Sequence, residues 1–284
     1  MKSKAVSTIF LDKKDQLLMI SDVHWDNPHC DRKMLKADLD EAVKRNAKIV
    51  INGDLFCLMQ GAYDPRKMKS DILPEHNNNK YLDSVINTAV DYFMPYKDHI
   101  KMVGYGNHET SIVKRHETDV IDRFVTLMNF HGADIQLGGY GGWIICAHKV
   151  TGGHSAYKIK YHHGFGGGGP VTKGVIQFAR MSMAVQGADM IWMGHVHEDH
   201  DLTYQIEYLD LSNQIKQKKI TMLRTGTYKE EYQDGTQGFH VMTGRPPKPL
   251  GGRWLHLEFK HYEKATDKRG AYEILTYTEP TNKV

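Results

Sequence analysis

Hydrophobic and polar positions follow two periodicities along this chain, and these divide its first part into predicted strands and helices. Short runs of apolar residues predict buried strands, whereas apolar residues that recur every three or four positions predict helices. The predicted strands cover residues 17–21, 48–52 and 100–105, and the predicted helices cover residues 31–46, 81–94 and 118–129. Strands that alternate with helices in this way predict a largely parallel sheet with helices on its faces.

The pattern changes near Ala133, after which the predicted strands follow one another with few helices between them. These strands cover residues 143–148, 157–162, 190–193, 202–209, 219–224 and 254–259, and one helix is predicted over residues 173–186. This part of the chain predicts a second sheet, either packed on the first or projecting from it.

The composition is that of a globular protein. Of the 284 residues, 40% are hydrophobic and 25% are charged, which excludes wholesale disorder. The 37 Lys and Arg residues nearly balance the 34 Asp and Glu residues, so the net charge of +3 does not by itself indicate a nucleic-acid partner.

The cysteines and the apolar runs bear on the compartment. Cys30, Cys57 and Cys146 lack CxxC spacing, which favours a reducing compartment over a disulfide framework. The sequence has no evident secretory signal, and no apolar run approaches the roughly 18 residues that a membrane helix needs. We therefore expect a cytoplasmic protein without a membrane partner.

Five short segments place metal-ligand side chains directly after predicted strands. They are SDVH at 21–24, NGD at 52–54, GNHE at 106–109, HHG at 162–164 and GHVH at 194–197. Alternate side chains of a strand share a face, so Asp22 and His24 can project together, as can His195 and His197. Each segment alone would also fit a turn, a helix cap or a structural histidine. Five of them in one chain favour a site for divalent transition metals, which carboxylate and imidazole groups bind.

The order and content of these segments resemble the calcineurin-like metallophosphoesterase superfamily over roughly residues 19–198. The resemblance implies an α/β fold of two packed mixed β-sheets flanked by helices, with a strand-rich C-terminal extension. Residues 1–240 would form the catalytic domain, and residues 241–284 would form a β extension packed on the same domain.

The resemblance also implies a dinuclear metal site. The implied ligands are Asp22, His24 and His197 for one ion, Asn107, His163 and His195 for the other, and Asp54 as the bridge. His108 would face the phosphate rather than a metal. His162 and His148 also end or follow strands and remain alternatives to His163, which we favour because a glycine follows it.

The chemistry of such a site follows from its charge. Two divalent ions about 3.5–4 Å apart can clamp a phosphate and lower the pKa of bound water, which supplies a nucleophile near neutral pH. The resemblance thus implies hydrolysis of a phosphoester bond by a metal-bridging hydroxide, with His108 protonating the leaving oxygen or stabilising the transition state. Mixed nitrogen and oxygen ligands suit Mn, our first expectation, and also Fe, Co, Ni or Zn.

Two features bear on the substrate. Protein Ser/Thr phosphatases carry Gly-Asp-x-x-Asp-Arg-Gly, whereas residues 53–59 read GDLFCLM and look closer to the phosphodiesterase and DNA-repair-nuclease branches. Residues 135–188 contain no Asp or Glu. We expect Lys160, Lys173 and Arg180 in this span to bind an anionic substrate, although the span would also fit an ordinary solvated face.

The sequence therefore predicts a phosphodiesterase or nuclease that acts on DNA, RNA or a nucleotide, either as a monomer or as a homo-oligomer. A phosphomonoesterase, acting on a small molecule or a protein, is the first alternative, and a catalytically idle metal-binding interaction module is the second. The long segment after Asp54 is expected to be a lid or binding loop, with Tyr63, Arg66 and His76 as candidate substrate contacts.

Overall fold

We analysed the protein as a computed structural model, which describes residues 5–58, 72–150, 153–169, 171–233, 235–236, 239–264 and 267–282. The strands of these residues are β1 Val6–Phe10, β2 Lys14–Ile20, β3 Lys48–Ile51, β4 Ile100–Val103, β5 Gln136–Leu137, β6 Gly141–Val150, β7 Gly153–His162, β8 Met190–Met193, β9 His200–Leu209, β10 Ile215–Arg224, β11 Arg253–Lys264 and β12 Asp267–Pro280. The helices are α1 Arg32–Lys44, α2 Tyr81–Phe93, α3 Asn107–His116, α4 Val120–Phe130, α5 Val175–Ala184 and α6 Phe239–Met242.

The strands form two six-stranded sheets. The first sheet has the order β12-β11-β2-β3-β4-β5, and the second has the order β1-β6-β7-β8-β10-β9. Strands β2 to β5 run parallel to one another, and β8 runs parallel to both of its neighbours, β7 and β10. The predicted α/β fold with two mixed sheets flanked by helices is confirmed, as is the strand-rich C-terminal part.

Alternation along β2 explains how the layers pack. Leu17 and Met19 lie in a buried cluster with Trp192 of the second sheet, so this face of the first sheet packs against the second. Leu18 and Ile20 point the other way, into a cluster that includes residues of α1, α2 and α4. The first sheet is therefore covered on both faces, which explains why residues 17–20 of β2 are continuously apolar.

The prediction that the late strands belong to the second sheet is wrong for the segment 254–259. This segment lies in β11, which pairs antiparallel with β2 and so extends the first sheet, with β12 outside it. The second sheet is formed instead from β6 to β10 together with β1. The apolar pattern of a strand fixes which face is buried, but it carries no information on which strand will be its neighbour.

Aspartate side chains cap the starts of α1 and α4. The Asp31 side chain accepts a hydrogen bond from the Met34 N–H at the start of α1, 2.8 Å away, and Asp119 does the same for α4. The predicted helices over 31–46, 81–94, 118–129 and 173–186 correspond to α1, α2, α4 and α5. Helix α3 was not predicted, and it starts at Asn107, inside the GNHE segment.

Across the ranges that the structure describes, every helix is too short or too polar to cross a lipid bilayer.

Candidate metal centre

The predicted metal-ligand side chains converge between the two sheets, at the ends of neighbouring strands. Asp22 and His24 follow β2, Asp54 follows β3, His163 follows β7, His195 and His197 follow β8, and Asn107 and His108 open α3 directly after β4. Because β2, β3 and β4 are parallel, their carboxyl ends share one edge of the first sheet. The parallel pair β7 and β8 brings the corresponding edge of the second sheet to the same place.

The backbone of this region is strained. Eleven residues other than glycine have positive φ angles among the described residues, and five of these are predicted ligands. They are Asp22 at 53°, His24 at 52°, Asp54 at 47°, His195 at 73° and His197 at 55°. A side chain with a Cβ rarely adopts this conformation, and strain of this kind clusters at functional sites. The loops therefore hold these side chains in place at a cost in stability.

Two glycines allow the close approach of these loops. A Cβ on Gly106 would overlap the Asp54 carboxylate, and a Cβ on Gly194 would overlap the Ser21 hydroxyl and the Asp22 carboxylate. The backbone N–H of His195 consequently reaches across from the second sheet and donates to Asp22 Oδ2 at 2.9 Å.

The first ligand group consists of Asp22, His24 and His197, whose ligand atoms all lie within 4.8 Å of one another. The Nε2 atoms of His24 and His197 are 3.4 Å apart, and His197 Nε2 lies 3.4 Å from Asp22 Oδ1. Asp22 and His24 are buried, and the His24 Nδ1 atom has no hydrogen-bond partner. One carboxylate and two imidazoles around a common point make a set of donors that suits a divalent transition metal.

The second group consists of Asp54, His163 and His195, again with ligand atoms within 4.8 Å of one another. His163 Nε2 is 3.1 Å from Asp54 Oδ2 and 3.2 Å from the side-chain oxygen of Asn107. The same nitrogen lies 3.9 Å from Asp22 Oδ1 of the first group. The two groups are therefore adjacent, as a dinuclear site requires.

Hydrogen bonds to backbone carbonyls fix the tautomers of three histidines. His163 Nδ1 donates to the Asn52 carbonyl at 2.9 Å, and His195 Nε2 donates to the Gly166 carbonyl at 3.0 Å. His108 Nδ1 donates to the Cys57 carbonyl. A carbonyl can only accept, so this nitrogen of each histidine carries a proton, and the other ring nitrogen is the one that can bind a cation or exchange a proton, as in metal sites where a second hydrogen bond orients the ligand.

The electrostatics of the group are those of a site for cations. Burial alone would lower the pKa of His163, but the nearby Asp54 and Asp22 carboxylates raise it to about 10. Burial raises the pKa of Asp22, yet the hydrogen bond from His197 and the charges of His163 and His197 bring it down to about 2. Two buried carboxylates thus need compensating positive charge, and bound divalent cations would supply it.

Glu109 was not assigned a role from the sequence, but it holds the Asp54 loop. Its buried carboxylate accepts hydrogen bonds from the backbone N–H groups of Gly106 at 2.8 Å, Phe56 at 2.9 Å and Asp54 at 3.2 Å. Burial and the charge of Asp54 raise its pKa to about 8, although the N–H donors oppose this shift. Its place in the GNHE segment was the only available signal.

Glu231 is a second residue that sequence reasoning missed. It lies within 2.6 Å of Lys229 Nζ and 3.1 Å of His240 Nε2, and its Oε2 atom is 3.8 Å from His197 Nδ1. The carboxylate therefore faces the nitrogen of His197 that points away from Asp22. No local pattern could have revealed it, because it lies 34 positions after His197 in the sequence.

The structure separates His163 from its two alternatives. His162 Nδ1 accepts a hydrogen bond from the Gly164 N–H, and the His148 ring stacks on Phe259. Neither histidine is in the two ligand groups, so the geometry favours His163.

The predicted substrate residues are not members of the ligand groups. Lys160 Nζ is 5.6 Å from the centre of the Trp143 ring, and Lys173 and Arg180 are exposed at and near α5. No hydrogen bond or ion pair joins these three to the metal ligands in the portions of the chain described. Tyr63 and Arg66 lie outside the described residues. His76 is fully buried and bonded to Thr88, so its prediction as a substrate contact is wrong.

No protein-family model matches this chain, and no curated protein was found to be similar to it. The function proposed below is therefore inferred from the geometry of the site.

Proposed function

We propose that this protein is a dinuclear-metal-dependent phosphoesterase that acts on phosphodiesters of nucleic acids or nucleotides. The observation that carries the proposal is the adjacency of two ligand groups. Asp22, His24 and His197 form one, and Asp54 with His163 and His195 forms the other. Each group has the ligand number and the mixed nitrogen and oxygen donors of a transition-metal position, with Mn as the first expectation.

Two divalent ions bound there would act as Lewis acids on a phosphate oxygen and would lower the pKa of water for attack on phosphorus. The chain's own residues would then orient the substrate and move protons. His108 is the candidate acid, because its Nδ1–H is held by the Cys57 carbonyl and its Nε2 lies 3.9 Å from Asp54 Oδ2. Nε2 is thus the nitrogen that, once it has taken up a proton from solvent, can give that proton to the leaving oxygen.

The cations around the site favour a diester over a monoester. Two buried cations of this region are engaged by protein groups, Lys229 by Glu231 and Arg224 by the carbonyl oxygens of Gly194 and Gly174. Because these groups hold both side chains in buried positions, we expect neither to contact the additional negative oxygen that a phosphomonoester carries. This supports a phosphodiester as the substrate, and activity as a phosphomonoesterase remains the alternative function.

The test compares hydrolysis of bis-p-nitrophenyl phosphate and p-nitrophenyl phosphate by the Mn-loaded protein. We expect turnover of the diester, and His108→Ala should lower it by a factor of about 100–10,000 while bound Mn, measured by elemental analysis, is unchanged. His131→Ala is the matched control, because His131 is exposed at the end of α4 and should behave as wild type.

Other results of this test would point to the other functions. Release of inorganic phosphate from the monoester alone would contradict the diester proposal. Full Mn binding without turnover of either ester, or of single-stranded and duplex DNA, would favour a catalytically idle metal-binding module. Equal activity of His108→Ala and wild type would remove His108 from the mechanism.

A cytoplasmic location is proposed on separate grounds. Cys30, Cys57 and Cys146 are all free and buried, which suits a reducing compartment. Fractionation of cells that express the full chain would test it.

A further inference from the structure

A third group of metal-ligand side chains lies beside the two described above. It consists of His24, Cys57 and His108, whose ligand atoms are all within 4.8 Å of one another. His24 belongs to the first ligand group as well, and the His24 and His108 rings are in edge contact with centroids 4.9 Å apart. The third group is therefore contiguous with the proposed catalytic site, but it contains sulfur and no carboxylate.

The Cys57 thiol is held in position from several directions. The backbone N–H of Cys57 donates to the Asp26 carboxylate, and the Cys57 carbonyl accepts from His108. The Cys57 sulfur accepts a hydrogen bond from the Asn27 side chain at 3.3 Å. The residue is only 2% exposed. A thiol that is fixed so rigidly beside two imidazoles requires little rearrangement to become a ligand.

The histidines of this group have nitrogen atoms to offer. His24 is buried, and its Nδ1 has no hydrogen-bond partner, which is uncommon for a polar atom inside a protein. His108 has committed Nδ1 to the Cys57 carbonyl, so its Nε2 is the nitrogen that can accept a cation. One thiolate and two imidazoles form a donor set that prefers thiophilic metals such as zinc, cadmium and cobalt over manganese or magnesium.

We propose that His24, Cys57 and His108 form an inhibitory site for a thiophilic divalent cation. Binding forms a metal–sulfur bond and releases the Cys57 S–H proton to solvent. The cation also occupies Nε2 of His108, which can then no longer donate a proton to the leaving oxygen. The inhibitory consequence depends on the proposed phosphoesterase function, whereas the binding site itself does not.

The binding test uses absorption spectroscopy of the full chain titrated with Co²⁺. A cobalt–thiolate bond gives a charge-transfer band in the near ultraviolet, and nitrogen and oxygen ligands do not. We expect this band in wild type, its loss in Cys57→Ser, and its retention in Cys30→Ser, the matched control with a buried thiol outside the group. Absence of the band in wild type, or its persistence in Cys57→Ser, would overturn the proposal.

Inhibition is measured with Cd²⁺ against the Mn-loaded protein, relative to the activity of each variant without Cd²⁺. The inhibition constant should rise more than about tenfold in Cys57→Ser, since even a change outside the ligand shell costs that much affinity. An unchanged constant would refute the inhibitory role.

Two further outcomes separate the proposals. A Co²⁺ band in a protein without esterase activity would retain the thiol site and refute the phosphoesterase function, and activity without the band would do the reverse. If Cys57→Ser does not fold, X-ray absorption of the Zn-loaded wild type decides. We expect a sulfur neighbour of zinc, and nitrogen and oxygen neighbours alone would overturn the site.

Discussion

Substitution of Glu231 by Gln tests whether residues outside the ligand groups position the metal ligands. The wild-type carboxylate contacts Lys229 at 2.6 Å and His240 at 3.1 Å, and it faces His197 Nδ1 at 3.8 Å. Gln keeps the size of the side chain and one oxygen acceptor, but it removes the negative charge. His197 would then lose the carboxylate that polarises its ring and holds its orientation.

The expected magnitude follows from the burial of these contacts. Loss of an outer carboxylate behind a histidine ligand typically costs a factor of about 10–100 in metal affinity. Breaking a buried ion pair costs about 3–5 kcal/mol in stability. Because Gln keeps one hydrogen bond, we expect Glu231→Gln to lower the free energy of unfolding by about 2–3 kcal/mol. Burial opposes ionisation of Glu231, but the hydrogen bond from His240 and the charge of Lys229 hold its pKa well below the usual 4.5.

The pKa shift gives the prediction a pH dependence. Because the pKa is depressed in the folded protein, the charge of Glu231 stabilises the fold above about pH 4.5, and this contribution is lost as the pH falls below that value. The difference in free energy of unfolding between wild type and Glu231→Gln should therefore be largest near neutral pH and should shrink in acid.

Calorimetric titration with Mn²⁺ measures the affinity, and urea denaturation at several pH values measures the stability. Glu230→Gln is the matched control, because Glu230 accepts from the backbone N–H groups of Tyr232 and Gln233, and no hydrogen bond or ion pair among the described residues joins it to His197. Affinity within twofold of wild type together with unchanged stability would refute the positioning role of Glu231.

Three further predictions concern other buried positions. Burial raises the pKa of Asp38 above its ordinary 3.8, so its charge destabilises the fold as the pH rises past that value. Asp38→Asn should therefore be more stable than wild type between pH 4 and pH 7 in urea denaturation. Equal stability of the two proteins would contradict this prediction. Arg224→Met should lose about 2–4 kcal/mol in the same assay, because buried carbonyl oxygens lose their donor. Gly194→Ala should weaken Mn²⁺ binding at least about tenfold, since the new Cβ would displace the Asp22 carboxylate. If this variant binds Mn²⁺ as tightly as wild type, the loop can adjust and the prediction is wrong.

The sequence predicts this fold well wherever the signal is local. Apolar runs identify β3, β4 and β8, which are buried along nearly all of their length, and β2, whose last four residues are buried. What the sequence could not predict is pairing over long distances. Residues 254–259 alternate like a strand of either sheet, and only the three-dimensional packing places β11 beside β2.

The candidate site likewise contains residues that could be predicted from local sequence and residues that could not. Its metal ligands could be proposed because short segments repeat one arrangement at strand ends. Glu109 and Glu231 could not be given roles, because a single acidic residue has no pattern and acts only through the groups that the fold brings to it. Cys57 likewise looks like an ordinary buried thiol until His24 and His108 are placed beside it.

The two ligand groups span a seam, since Asp22 and Asp54 are carried by one sheet and His163, His195 and His197 by the other. The separation of the two halves is set by the side chains packed between the layers, among them Leu17, Met19 and Trp192. The packed interior between the sheets thus sets the distance between the metal ligands of the two sheets. A change in side-chain volume far from any ligand would alter the geometry at which two cations meet a phosphate.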